Sequence, residues 1–129
     1  MTTNVSTNTG RHRRSADAAS FITLDGSRIR EFMHPSASAA QRQSLAEARV
    51  DPGARTILHR HHQTEEFYHL LAGSGLMTLG DDAFPVGVGD TVVIAAGTAH
   101  CIENTGSSEL VLLCCCAPAY SDDDTELQE

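Results

Sequence analysis

The sequence predicts an all-β domain, a barrel or sandwich of short strands, on three observations. Short apolar or alternating runs fill the middle of the chain, separated by Gly, Pro, Asp and Ser. Hydrophobic residues make up 40% but aromatics only 5%, with no Trp, so the core must rest on Leu, Val, Ile, Ala and Met. A length of 129 residues suits one domain with one core.

In chain order, residues 1–20 carry Thr, Asn, Ser, Ala and Arg and cannot repay the entropy of ordering by burial, so a flexible tail is expected. The expected barrel spans residues 21–120. Strands are predicted at 21–24, 29–33, 44–50, 56–61, 66–72, 75–79, 83–86, 91–94, 100–104 and 109–116. Between them lie Asp25-Gly26, Asp51-Pro52-Gly53, Gly80-Asp81-Asp82, Gly87-Val88-Gly89-Asp90, Ala96-Gly97 and Thr105-Gly106, all tolerant of tight turns. The stretch Ser36 to Glu47 admits one helical turn, but Pro35 before it and the alternation after it favour a loop leading into a strand. Residues 121–129, with Asp122, Asp123, Asp124, Glu126 and Glu129, read as a solvated acidic tail.

A strand turns residues i and i+2 to one face, so His59 and His61 point together. On the next strand Glu66, Tyr68, Leu70 and Ala72 share a face while Glu65 points away, and a neighbouring antiparallel pairing would set Glu66 opposite the two histidines. A third imidazole, His100, shares a face with Ile102 and Asn104 just after a turn. A lone strand histidine is more often a hydrogen-bonded surface or core residue than a ligand, so the weight falls on the conjunction. Three imidazoles and a carboxylate suit one divalent transition metal, Mn, Fe, Co, Ni, Zn or Cu, and are too nitrogen-rich for Ca or Mg. In an octahedral ion four protein ligands leave two positions for water or substrate, which suggests chemistry rather than a structural staple.

Other side chains carry two readings each. Tyr68 could reach the pocket as a hydrogen-bond donor or catalytic acid, or pack against the barrel wall. Gln43, Glu47 and Arg49 share a strand face; turned inward they would bind substrate, turned outward they form a polar surface opposite Ser44, Ala46, Ala48 and Val50. His69 has the wrong parity for the metal, as has Cys101, and His62 falls in the loop. Cys114, Cys115 and Cys116 lack Cys-x-x-Cys spacing and read as reduced, buried small hydrophobes. Arg28 and Arg30 either clamp a carboxylate or decorate an edge strand.

The formal charge of −8 opposes a phosphate backbone, and the basic cluster Arg11, Arg13 and Arg14 has no aromatic interleaving, so nucleic acid is not an expected partner. No run approaches the roughly eighteen apolar residues of a membrane span, and no apolar secretory segment opens the chain. A cytoplasmic location without a membrane partner is the expectation.

Two stretches also carry a family resemblance. GARTILHRHHQTEEFYHLLAG, from Gly53 to Gly73, resembles the first cupin motif, with five residues before His59, one before His61, four before Glu66 and six before Gly73. GDTVVIAAGTAHCIEN, from Gly89 to Asn104, resembles the second through Gly89, Gly97, His100 and Asn104, although Ala95 stands where proline is usual. The resemblance implies a double-stranded β-helix, or jelly roll, often assembled as a homodimer, with His59, His61, Glu66 and His100 as metal ligands.

For function it implies a metal-dependent cupin enzyme acting on a small polar molecule. The chemistry is either redox-neutral, as an isomerase, lyase or decarboxylase, or that of an oxygenase. The alternative is a non-catalytic small-molecule-binding or sensor cupin. Sensor cupins usually carry an attached DNA-binding domain, for which this sequence has neither a second domain nor the charge.

Overall fold

The computed structural model describes residues 10–129, whose strands form two antiparallel sheets. Strands β1 (Ser20–Ile22), β2 (Arg28–Met33), β3 (Ser44–Val50), β10 (Leu110–Ala117), β5 (Glu65–Ala72) and β8 (Thr91–Ile94) run side by side in one sheet. The other is ordered β11 (Thr125–Leu127), β4 (His59–His61), β9 (His100–Asn104), β6 (Ser74–Leu79) and β7 (Asp82–Gly87). The two sheets enclose one interior, the double-stranded β-helix that the motifs imply.

Every strand expected from the alternation is present, with its ends moved by a residue or two, except that the run 56–61 is strand only at β4. Thr56 is tied differently: its N–H donates to Ile102 O at 3.0 Å and its Oγ1 accepts from Ile102 N at 3.0 Å. Residues 36–43 form turns leading into β3, as Pro35 suggested. Of the expected N-terminal tail, residues 1–9 lie outside the described residues; beyond them stand a 3-10 turn at Ser15–Asp17 and the start of β1. Residues 121–129, expected as a solvated tail, carry a 3-10 turn at Asp122–Asp124 and strand β11 along β4. Charge keeps those side chains at the surface, but the backbone still finds partners: His62 N donates to Asp124 O at 2.9 Å and Gln128 N to Leu58 O at 2.8 Å.

Inward-facing residues stack in layers that change character along the barrel. On β3, β10 and β5, Ser44, Cys116 and Glu66 lie side by side, then Ala46, Cys114 and Tyr68, then Ala48, Leu112 and Leu70. Val50 and Leu110 follow. Leu70, Met77, Ile102, Leu110 and Leu112 are almost wholly buried and fill one end of the interior, while the equally buried Ile94 lies beside Glu66. At the other end β3 offers only Ser44 and Ala46, whose small side chains leave space in front of the opposite sheet.

Parity sends Glu47 and Arg49 to the outside, and this corrects their reading as substrate-binding residues. Glu47 accepts from Arg30 Nε at 3.0 Å and Arg49 Nε at 2.8 Å, while Arg49 Nη1 reaches Glu109 at 2.6 Å. Gln43 is exposed in the turn before β3 and also lies off the cavity. Arg28, bonded to Asp51 at 2.9 Å and to Glu109, and Arg30 belong to the same outer ion-pair cluster, on a strand that β1 covers. Such partly exposed pairs order the surface more than they stabilise it.

Candidate metal centre

Three imidazoles meet in the interior with their ring nitrogens assigned by neighbours. His59 Nδ1 lies 2.7 Å from Ile57 O and His100 Nδ1 2.9 Å from Thr98 O, and a carbonyl can only accept, so both rings carry their proton on Nδ1. His61 Nδ1 lies 2.9 Å from Thr125 Oγ1, whose own proton goes to Ser121 O at 2.9 Å, which sets the same tautomer. All three Nε2 lone pairs therefore face the interior, and these atoms lie within 4.8 Å of one another. All three histidines are at least 97% buried, His100 completely. Outer partners that fix tautomer and ring angle in this way are the usual support of a metal-ligating histidine.

Glu66 arrives from a different direction than the expected antiparallel pairing with the His59–His61 strand. Its strand β5 pairs with β10 and β8, not β4, so Glu66 faces the histidines across the barrel. The parity argument still selects it: Glu66 is buried and Glu65 exposed. Glu66 Oε1 lies 3.2 Å from His61 Nε2 and 3.5 Å from His100 Nε2, while Oε2 accepts from Cys116 Sγ at 3.3 Å. Burial pushes the Glu66 carboxyl up, and only protons donated by His100 and His61, or a cation in their place, would draw it down.

The donor set now has too few protons. With Nδ1–H engaged outward, a hydrogen bond from His61 or His100 to Glu66 would require an imidazolium, and burial already drives His59 towards the neutral form, helped by the neighbouring His100. Glu66 Oε1 and His100 Nε2 are buried without a hydrogen-bond partner among the described residues. Lone pairs converging on a shared point, without donors between them, are satisfied by a cation. The residues present therefore fit a transition-metal ion.

The cavity beside these residues measures about 50 Å³ and is lined by Ser44, Ala46, Ala48, Tyr68, Cys114 and Cys116 among others. That is room for about three to five waters, at roughly 10–15 Å³ each. Its less buried lining residues Phe21, Thr23, Glu31 and Tyr120 mark the mouth. Tyr68 stands inside, its ring centroid 5.9 Å from that of His100, and burial, with Glu66 nearby, raises its phenol well above the ordinary range. It is thus a hydrogen-bond donor at neutral pH and cannot serve as a base. Burial and the Glu66 carboxylate likewise raise the Cys114 and Cys116 thiols, which stay protonated and unreactive. His69 bonds to Thr91 Oγ1 at 2.8 Å, and exposed His62 lies 3.2 Å from Glu126; neither lines the cavity.

Sequence reasoning missed three site residues. Thr125 orients His61 from the segment read as a tail, Cys116 holds Glu66, and Asp25, read only as half of a turn, is buried with Oδ2 3.7 Å from His59 Nε2. The cysteine was within reach, since Cys114 and Cys116 share an inward parity.

Residues 46–116 match the family model described as a cupin domain. An uncharacterised protein of Methanocaldococcus jannaschii is 50% identical over 109 residues, 84% of this chain and 87% of that protein. The oxalate-binding protein of Thermotoga maritima is 32% identical over 84 residues, 65% of each chain. The polyketide cyclase RemF of Streptomyces resistomycificus superposes with a TM-score of 0.77 at 20% identity, over 92% of this chain and 84% of its own. A predicted oxalate decarboxylase of Thermotoga maritima gives 0.71 at 24% identity, over 81% and 96%. At such identities the two structures establish likeness of fold.

Proposed function

The chain belongs to the cupin family, and we propose that it is a metal-dependent enzyme that holds one divalent transition-metal ion on His59, His61, Glu66 and His100 and turns over a small polar molecule. The observation that carries this reading is the set of inward lone pairs with no proton donor between them, at the head of a cavity. When bound, the ion supplies a Lewis acid at its free positions.

The chain's own groups do the rest. A cavity of about 50 Å³ admits only a small substrate or the reacting end of a larger one. Tyr68 can donate its phenolic proton to a substrate oxygen, and the apolar layers beyond it exclude water from behind. No Lys or Arg lines the cavity among the described residues, while Asp25, Glu31 and Glu66 do, so an anionic substrate finds no positive side chain there.

The ligand set serves both redox-neutral and oxygen chemistry, and the metal decides between them. The test loads the purified protein with Mn, Fe, Co, Ni, Zn or Cu and follows small hydroxy, keto and carboxylic compounds under argon and under air. The reading expects turnover that depends on the metal and disappears in His100→Ala. Turnover under argon marks the redox-neutral class, and oxygen uptake confined to iron marks an oxygenase. Saturable binding with no turnover under any metal supports a second reading, a small-molecule-binding module, which the 32% identity to an oxalate-binding protein favours. A homodimer fits the exposed Phe67, Leu71 and Val93 on β5 and β8, and light scattering would report it.

A further inference from the structure

We propose that Asp25, from the loop between β1 and β2, is a fifth protein ligand of the metal centre. The inference rests on the metal reading above and adds a residue outside both motifs. Asp25 is 91% buried, unusual for a carboxylate without a cationic partner. Its two oxygens are used differently. Oδ1 accepts from Ser27 N at 3.0 Å and Ser27 Oγ at 2.7 Å, which closes the turn. Oδ2 accepts no hydrogen bond among the described residues and faces His59 Nε2 at 3.7 Å. Since the His59 proton sits on Nδ1, these are two acceptors pointed at each other with no proton between them.

The placement is set by backbone. Ile57 N donates to Asp25 O at 2.8 Å, and Ile57 O accepts from His59 Nδ1 at 2.7 Å, so one peptide positions both the aspartate loop and the imidazole. With bonds of about 2.1 Å, two donors on one octahedral ion stand about 3.0 Å apart when cis and about 4.2 Å when trans. The 3.7 Å between Asp25 and His59 lies inside that interval, as do the 3.2 Å and 3.5 Å separations of Glu66 from His61 and His100, while only the three histidines stand mutually within 4.8 Å, so both carboxylates would close in on a bound ion.

Five protein ligands change what the site can accept. Three nitrogens and two carboxylates favour a harder ion such as Mn or Fe and leave one position of an octahedron open. The substrate class is then a molecule that binds through a single oxygen or nitrogen. A chelating dicarboxylate would have to displace Asp25.

Asp25→Asn tests this with little risk to folding, because the amide oxygen still accepts from Ser27 and only Oδ2 becomes a donor. Chelator-competition titrations with Mn²⁺ and Co²⁺ should show affinity falling by about tenfold or more in Asp25→Asn, with a changed Co²⁺ absorption band, while Glu109→Gln, in the outer ion-pair cluster, stays near the wild type. Water-proton relaxation and ¹⁷O-labelled ENDOR on Mn²⁺-loaded wild type should count about one inner-sphere water, and about two in Asp25→Asn. Two waters in the wild type, or affinity and spectrum unchanged in Asp25→Asn, overturns the inference and leaves the four-ligand centre standing. If His59→Ala also binds Mn²⁺ and Co²⁺ as the wild type does, the metal reading itself falls, and this inference with it.

Discussion

The two ends of the barrel interior are built on the same strands and do opposite things. Along β5 the inward series runs Glu66, Tyr68, Leu70, and along β10 it runs Cys116, Cys114, Leu112, Leu110, so each strand passes from polar to apolar within a few residues. One end is a close-packed apolar plug. The other trades packing for space, through Ser44 and Ala46, and for polar groups whose partners are only partly protein. The lesson is a division of labour: stability resides at the plug, and the site depends on it for rigidity while contributing little apolar burial of its own.

That contrast breaks most visibly at the plug. Leu110→Ala should cost about 2–5 kcal/mol in denaturant unfolding, because the barrel cannot collapse around the lost side chain. Metal affinity of the folded fraction should stay within a few-fold of the wild type. At the other end the effects reverse. His100→Ala should lower metal affinity by about a hundredfold or more in chelator competition, well beyond the effect of losing an outer partner. Its unfolding midpoint measured without metal should move far less than that of Leu110→Ala. Thr125→Val sharpens the comparison, since it removes the acceptor of His61 Nδ1–H along with the bond from Thr125 Oγ1 to Ser121 O; a loss of about tenfold in metal affinity is expected.

The contrast explains what the sequence could disclose. Alternation is a local signal, so the strands, the inward parity of Glu66 against Glu65, and the outward parity of His69 were legible. The parity of β3 was legible too, but which of its two faces lay inward was not, and the structure sends Glu47 and Arg49 out to Arg30 and Glu109. Pairings across the barrel have no local signature. Glu66 meets His61 and His100 from the opposite sheet, and Asp25 meets His59 through a backbone bond to Ile57. Thr125 was hidden for another reason: its neighbours form a charge block that reads as solvent-loving, whereas β11 is held by backbone pairing and by Glu129 on Arg55 and Leu58 N.

The smallest expected effect concerns that clasp. Arg55 and the Leu58 N–H hold the Glu129 carboxyl down to about 2, and Asp124 is held low by the Thr64 and Gln63 N–H groups against the opposing effect of burial. Both folded values lie below the unfolded ones, so the contribution is complete above about pH 4.5 and fades as pH falls towards about 2. Amide exchange at Thr125–Leu127, measured at successively lower pH in that window and corrected for intrinsic rates, should lose protection before the plug strands do.

The central claim, a cation between three imidazoles and Glu66, is tested most directly by metal analysis and titration of protein purified without added metal. The account predicts about one transition-metal ion per chain, retained through dialysis and lost in His100→Ala. A wild-type protein that carries no metal and takes up none of Mn, Fe, Co, Ni, Zn or Cu on titration would contradict it.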